Sequence, residues 1–188
     1  MKALVLLAAL VACNARHPAE RAVPVPSAAP ALVPDEPSIY ELPITLRDAE
    51  GRTIGLDTRR GHHVLVAMFY GSCGVACPAL IDELGRVLDE APGSDARVLL
   101  VSFDAARDTP ARLRDLIAIH RLDDRWTLAA ASDADARVLA SVLGMRYRKL
   151  PSGEFFHTSP IVALDAEGRP IARSGGLGGR EGLTAALR

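Results

Sequence analysis

Apolar and polar positions alternate along this chain in runs whose spacing defines the expected elements. Ala3 to Ala12 is an apolar stretch behind Lys2, far short of the roughly 20 residues that a membrane-spanning helix needs. No periodicity follows until Ile39. From there Ile39-Tyr40-Glu41-Leu42 and Ile44-Thr45-Leu46 read as a strand, Asp48-Ala49-Glu50-Gly51-Arg52 as a turn, and Thr53 to Leu56 as its return. His63 to Tyr70 (HVLVAMFY) is a nearly continuous apolar run of strand length, which predicts a central strand covered on both faces. Leu80, Ile81, Leu84, Val87 and Leu88 then recur at helical spacing. Pro78 suits a first helical position and disfavours helical geometry just before it, so this helix is expected to start at Pro78 with Cys77 at or beside the cap.

The alternation continues to the end of the chain. Arg97 to Phe103 reads as a second buried strand, and Thr109-Pro110 as an N-cap and first-turn proline for a helix through His120, with Leu113, Leu116 and Ile117 inward. Trp126 to Ala130 is a third strand. Ser132 with Asp135 opens a helix whose stripe is Val138, Leu139, Val142 and Leu143, and Met145 to Leu150 is a further short strand. Ile161 to Leu164, the turn Asp165-Ala166-Glu167-Gly168-Arg169 and Pro170 to Arg173 form a hairpin, with Glu181 to Leu187 as a closing helix. Strands alternating with helices predict an α/β sandwich with a mixed sheet, whose ligand sites gather at the C-terminal ends of strands.

Composition narrows this picture. The 188 residues, 49% hydrophobic, suit one domain with a real core, and a net charge of -1 gives no basic field for nucleic acid or an anionic surface. The apolar N-terminus reads as a signal peptide over 1–12 rather than an anchor. Leu10-Val11-Ala12-Cys13 resembles the lipobox of bacterial lipoproteins, in which cleavage precedes a cysteine that is then acylated. Residues 13–37 form a tether with six prolines between Asn14 and Pro37, able to hold a domain over 38–188 up to roughly 70 Å from a membrane.

With Cys13 assigned to a lipid, Cys73 and Cys77 remain as a pair in Gly71-Ser72-Cys73-Gly74-Val75-Ala76-Cys77-Pro78, between the apolar strand and the amphipathic helix. A structural disulfide is the plainest use, but closing so short a ring supplies only about 2 kcal/mol by the chain-entropy estimate. A helix N-terminus beside Cys77 would favour thiolate, which promotes disulfide exchange and metal ligation alike. The spacing is not C-x-x-C, and the run before Cys73 lacks the proline of a peroxiredoxin site. Two thiolates across three residues can instead hold a soft ion such as Cu(I), with a third ligand needed for a firm site. Among the five histidines, His17 lies in the tether, His62 and His63 at the opposite end of the strand, and His120 at a helix end. His157 precedes the final hairpin, where a loop could fold over the thiols. Asp104 reads as a solvated loop residue and Asp108 as support for the helix capped by Thr109, although either could orient the site. Gly175-Gly176-Leu177-Gly178-Gly179 lacks the surroundings of a phosphate loop and reads as a flexible connection.

Taken together, Gly71-Ser72-Cys73-x-x-x-Cys77-Pro78, Val101-Ser102-Phe103-Asp104-x-x-Arg107-Asp108-Thr109-Pro110, His157-Thr158 and Ile161-Val162-Ala163-Leu164-Asp165-x-Glu167-Gly168-Arg169 resemble the Sco/SenC family in order and spacing, from about Ile39 onward. The resemblance implies a thioredoxin-like fold with an extra N-terminal β-hairpin, membrane attachment facing the periplasm, which with the lipobox at Cys13 reads as a membrane-anchored bacterial lipoprotein, and one copper ion held by Cys73, Cys77 and His157. It implies a metallochaperone that is also a thiol-disulfide reductant, with the copper-centre subunit of cytochrome c oxidase or periplasmic thiol-disulfide partners as its partners. Gly74-Val75-Ala76 stands where the family usually has Pro-Asp-Val or similar. A metal-independent periplasmic thiol-disulfide oxidoreductase is the alternative, and a binding lipoprotein with an inert disulfide the third. Zn²⁺ is a weaker candidate because it wants a fourth ligand. Ser159-Pro160 follows the histidine, and a cis bond there would parallel the thioredoxin site, although trans is the commoner state of such bonds.

Overall fold

The computed structural model describes residues 36–188 apart from position 75. The expected signal peptide (1–12), Cys13, His17 and the tether as far as residue 35 lie outside the described residues.

The long apolar run becomes β3 (Val64–Phe69), whose six side chains are all buried. It stands in the middle of a seven-stranded sheet with β1 (Thr45–Asp48), β2 (Thr53–Gly55), β4 (Arg97–Ser102), β5 (Trp126–Ala131), β8 (Ile161–Leu164) and β9 (Pro170–Arg173), in the order β2-β1-β5-β4-β3-β8-β9. The β3, β4 and β5 strands run parallel, and the remaining pairings are antiparallel. Neighbours on both edges and cover on both faces explain why β3 needs no polar side; each buried Val, Leu or Met contributes roughly 1.5–3 kcal/mol relative to exposure.

This is the expected thioredoxin-like arrangement. A β3-α1-β4 unit, with α1 at Ala76–Glu90, adjoins a β8-β9-α4 unit, with α4 at Arg180–Ala186 packed against α1. The extra hairpin β1-β2 is laid antiparallel on β5. Helix α2 (Pro110–His120) lies against β5 and β1, and α3 (Asp133–Leu143) follows β5. Their predicted caps form: Thr109 accepts from the Arg112 amide and Ser132 from the Asp135 amide. Outside the main sheet, β6 (Tyr147–Lys149) and β7 (Phe155–His157) pair with each other as a two-stranded ribbon.

Several expectations are corrected. Ile39–Glu41 is a 3₁₀ turn, not a strand: Ser38 caps it, the Ile39 amide bonds the Gly168 carbonyl at 2.9 Å, and consecutive Ile39 and Tyr40 are both buried over the β8-β9 turn. Helix α1 opens at Ala76, two residues before Pro78, so Cys77 lies within its first turn. Val138 is 47% exposed, and Ala136 and Ala140 take its place in the inward stripe of α3. No described peptide bond is cis, so Ser159-Pro160 is trans. The glycine-rich connection is tied down: the Gly178 amide donates to the buried Glu83 carboxylate of α1 at 3.0 Å. Glu36, at the end of the expected tether, pairs with Arg173 on β9.

Candidate functional site

The polypeptide leaves β3 at Phe69 and turns at once. The Tyr70 carbonyl accepts from the Cys73 amide at 3.2 Å and from the Cys77 thiol at 3.1 Å, so one backbone oxygen gathers both cysteine residues. The Gly71 amide donates to Asp108 at 2.7 Å, and the same carboxylate oxygen accepts from the Ser102 hydroxyl at the end of β4. Ser102 in turn accepts from the Asp104 amide at 3.0 Å, and Arg112 donates to the Gly71 carbonyl at 3.0 Å. A side chain at position 71 has no room: its Cβ would stand 2.4 Å from the Asp108 carboxylate, which its own bonds hold in place.

Asp108 is therefore a buried brace for the thiol loop, a stronger function than supporting a helix start. Asp104 is not solvated either; it is 6% exposed and paired with Arg107. A buried carboxylate must be paired or hydrogen-bonded, and both residues meet that need within this loop.

The two cysteines are unlike each other. Neither is in a disulfide; Cys77 is buried, whereas Cys73 is partly exposed. Burial pushes the Cys77 thiol up to about 12, the reverse of the thiolate-favouring shift expected beside a helix N-terminus. The S–H it keeps is donated to Tyr70. Cys73 lies beside Cys77, and its thiol also neighbours the Tyr70 hydroxyl.

His157 arrives on the ribbon, in register with Tyr147. Its ring stands edge-on to Tyr70 at 5.5 Å between centroids and meets Phe103 at 5.7 Å. Phe103 stacks on Tyr147 at 4.6 Å and takes Phe155 edge-on at 5.2 Å, so the inner face of the ribbon is seated on rings. His157 Nδ1 lies 3.1 Å from the Thr158 carbonyl and 3.2 Å from Ser159 Oγ. A carbonyl can only accept, so this contact calls for the proton on Nδ1 and leaves Nε2 as the basic nitrogen of the neutral ring. The ribbon tip is tied by the Tyr70 hydroxyl, which donates to Glu154 at 2.8 Å, and by Arg107, which donates to the Gly153 carbonyl at 3.1 Å. Burial first, and then this bond to Glu154, hold the Tyr70 phenol well above its usual range.

The three predicted ligands thus meet in one region, but not as a closed cage. The thiols are neighbours, and His157 reaches the ring of the residue whose carbonyl binds Cys77. Among the described residues no three His, Cys, Asp or Glu side chains converge closely enough to hold an ion. The donor types, two thiols and an imidazole whose Nδ1 has an outer partner, fit a soft ion such as Cu(I). His62 and His63 stand at the other end of β3 beside Asp95, and His120 lies in the last turn of α2. The sequence did not single out Tyr70, Glu154 or Phe103; no local signal pairs a strand-end tyrosine with a glutamate 84 positions away.

The SCO1/SenC family model matches residues 34–188. A curated relative, the SCO1 protein homolog of Bacillus subtilis strain 168, is 25% identical over 144 residues, covering 72% of this chain and 74% of its own. Among solved structures, a SCO1/SenC family lipoprotein from Bacillus anthracis str. Ames superposes with a TM-score of 0.70 at 18% identity, covering 79% of this chain and 93% of that one. Bradyrhizobium japonicum ScoI, solved with copper bound, gives 0.63 at 21% identity, covering 77% and 94%.

Proposed function

The chain belongs to the SCO1/SenC family, and from that premise we propose that it binds one copper ion through Cys73, Cys77 and His157. It delivers copper, reducing equivalents or both for assembly of the binuclear copper centre of cytochrome c oxidase. Its domain, 38–188, is held at a membrane and faces the periplasm, through a signal peptide (1–12) that is removed, a lipid on Cys13 and the tether to residue 37. No helix among the described residues is long and apolar enough to cross a membrane; in this reading acyl chains, each adding about 0.8 kcal/mol per buried CH₂, supply the attachment.

The observation that carries the reading is the position of Tyr70. Its carbonyl accepts the Cys77 thiol and the Cys73 amide while its ring meets His157, which supports a site for these three residues at the C-terminal end of the central strand. A thiolate pair with imidazole suits Cu(I), which needs few ligands. Copper is cargo here, and the chain's own work is to hold the thiols adjacent and to bring His157 toward them. When the dithiol becomes a disulfide, one S–S bond forms and two electrons and two protons leave, which reduces one disulfide on a partner.

Titration of the reduced protein with Cu(I) against a competing chelator tests this. We expect tight one-to-one binding that weakens at least tenfold in His157→Ala. Equally weak binding by wild type and variant overturns the metal reading. Unmodified Cys13 in membrane-extracted protein, seen by mass spectrometry, overturns the lipid anchor.

A second reading, metal-independent disulfide exchange, is favoured by one specific observation. A partly exposed Cys73 beside a buried, protonated Cys77 is the asymmetry expected of an attacking thiol and a resolving one. Exchange activity that survives His157→Ala in a protein with no copper affinity supports it.

A further inference from the structure

Resting on that copper-binding reading, we infer that Tyr70 is a positioning residue: its hydroxyl, bonded to Glu154, holds the β6-β7 ribbon so that His157 can complete the thiol site. The ribbon has no strand pairing with the main sheet. No ladder bond therefore fixes its distance from the thiols; beyond its chain attachment to α3 and β8 at the base, side-chain contacts do. Ring packing on Phe103 seats the ribbon's inner face, but rings can slide across one another at little cost. The directional ties are at the tip, where Tyr70 reaches Glu154 at 2.8 Å and Arg107 reaches the Gly153 carbonyl at 3.1 Å.

Tyr70 differs from Arg107 in what stands at its other end. Through its carbonyl it holds the Cys73 amide and the Cys77 thiol. The residue therefore spans both halves of the site, its backbone on the cysteines and its hydroxyl on the ribbon as well as beside the Cys73 thiol. Phenylalanine would satisfy the ring contacts with Phe103, Phe155 and His157 equally well. What tyrosine adds is the hydroxyl, which in a residue only 3% exposed needs a partner and finds Glu154 on the ribbon, while also lying beside the Cys73 thiol.

The test uses the reduced full-length protein and Cu(I) in competition with bathocuproine disulfonate. Loss of a hydrogen bond to a charged group changes an equilibrium by about tenfold. Tyr70→Phe and Glu154→Ala are each expected to weaken Cu(I) binding by about that factor, Glu154→Gln by less because an acceptor remains, and the double variant no more than either single one. On a His157→Ala background Tyr70→Phe is expected to change nothing further. In the copper-free protein, amide hydrogen exchange across Phe155–Thr158 should quicken about tenfold in Tyr70→Phe and Glu154→Ala, with Val64–Phe69 unchanged.

Wild-type copper affinity in Tyr70→Phe, or equal weakening with and without His157, overturns the inference. Unchanged ribbon exchange in both variants overturns it as well. Equally weak Cu(I) binding by wild type and His157→Ala instead overturns the functional reading, and the copper-free exchange then still decides whether Tyr70 holds the ribbon.

Discussion

The loop from Tyr70 to Cys77 grows out of a strand in the middle of the seven-stranded sheet, whereas the ribbon carrying His157 belongs to no part of that sheet. The thiol loop is fixed by buried polar bonds from Gly71 to Asp108, Ser102 to Asp108 and Cys77 to Tyr70. The ribbon rests on aromatic edges and two tip contacts. Buried hydrogen bonds are short-ranged, directional and costly to leave unmade; ring packing is strong in sum and tolerant in direction. On the copper-delivery reading proposed above, a protein that takes up and then releases an ion has reason to hold two donors firmly and leave the third adjustable.

Breaking the rigid half should cost most. Asp108→Ala strands the Gly71 amide and the Ser102 hydroxyl in a site where Asp108 is 2% exposed. Two unsatisfied buried donors predict a loss of about 3 kcal/mol in urea unfolding, together with loss of Cu(I) affinity. Asp108→Asn keeps an acceptor and should lose much less. A loss under about 1 kcal/mol in the alanine variant would mean that the loop is not braced as described.

The next effect is a pH dependence of the Cys77 thiol, isolated by comparison with Cys77→Ala because burial also raises the phenols of Tyr40 and, on the ribbon, Tyr147. The folded Cys77 thiol is raised from 9.0 to about 12 by burial, so above pH 9 the unfolded chain releases a proton that the folded one keeps. The stability this contributes is fully present below pH 9 and is lost as pH rises toward 12, at about 1.4 kcal/mol per unit over that window. The stability difference between wild type and Cys77→Ala should therefore narrow between pH 9 and 10.5. In Cys73→Ser, Cys77 should react with iodoacetamide far more slowly at pH 8 than Cys73 does in Cys77→Ser, each site followed by peptide mapping. Equal rates would show that the two cysteines are equivalent.

Loosening the adjustable half should cost less and act elsewhere. Phe103→Leu removes the ring that stacks on Tyr147 and meets Phe155 and His157. We expect a loss of about 1 to 2 kcal/mol and faster amide exchange in the ribbon, with the alkylation rate of Cys73 unchanged. A matching change at Cys73 would mean that ribbon and loop move as one unit.

The same contrast governs what could be read in the sequence. Features set by near neighbours were legible: the β3 run, the α1 stripe, the Thr109 and Ser132 caps, and both Asp-Ala-Glu-Gly-Arg turns. In each of these turns the aspartate accepts from amides two and four residues on and the glycine takes a positive φ. The cysteine pair and His157 were proposed from their spacing and the resemblance they carry, and the fold sets all three around Tyr70. What escaped depends on contacts between distant segments. Gly71 and Asp108 are 37 positions apart and Tyr70 and Glu154 are 84 apart, and no local pattern pairs them. Ile39–Glu41 failed as a strand for the same reason, since its amide partner is Gly168. Helical spacing alone could not tell that small Ala136 and Ala140, rather than Val138, face the sheet.

The smallest expected effect separates the two faces of the ribbon. Phe156 pairs with Arg148 in register and is 62% exposed, pointing away from the rings that seat His157. Because alternate residues of a strand face opposite sides, it should take no part in placing the histidine. Phe156→Ser is therefore expected to change stability by less than about 0.5 kcal/mol and to leave Cu(I) affinity and ribbon exchange at wild-type values. Its neighbour Phe155 packs edge-on against Tyr70 at 5.1 Å, and Phe155→Ser should disturb both. If the Phe156 variant instead loosens copper, the outer face helps to hold the third donor, and the division between a rigid thiol half and a ring-seated histidine half has to be redrawn around both faces of the ribbon.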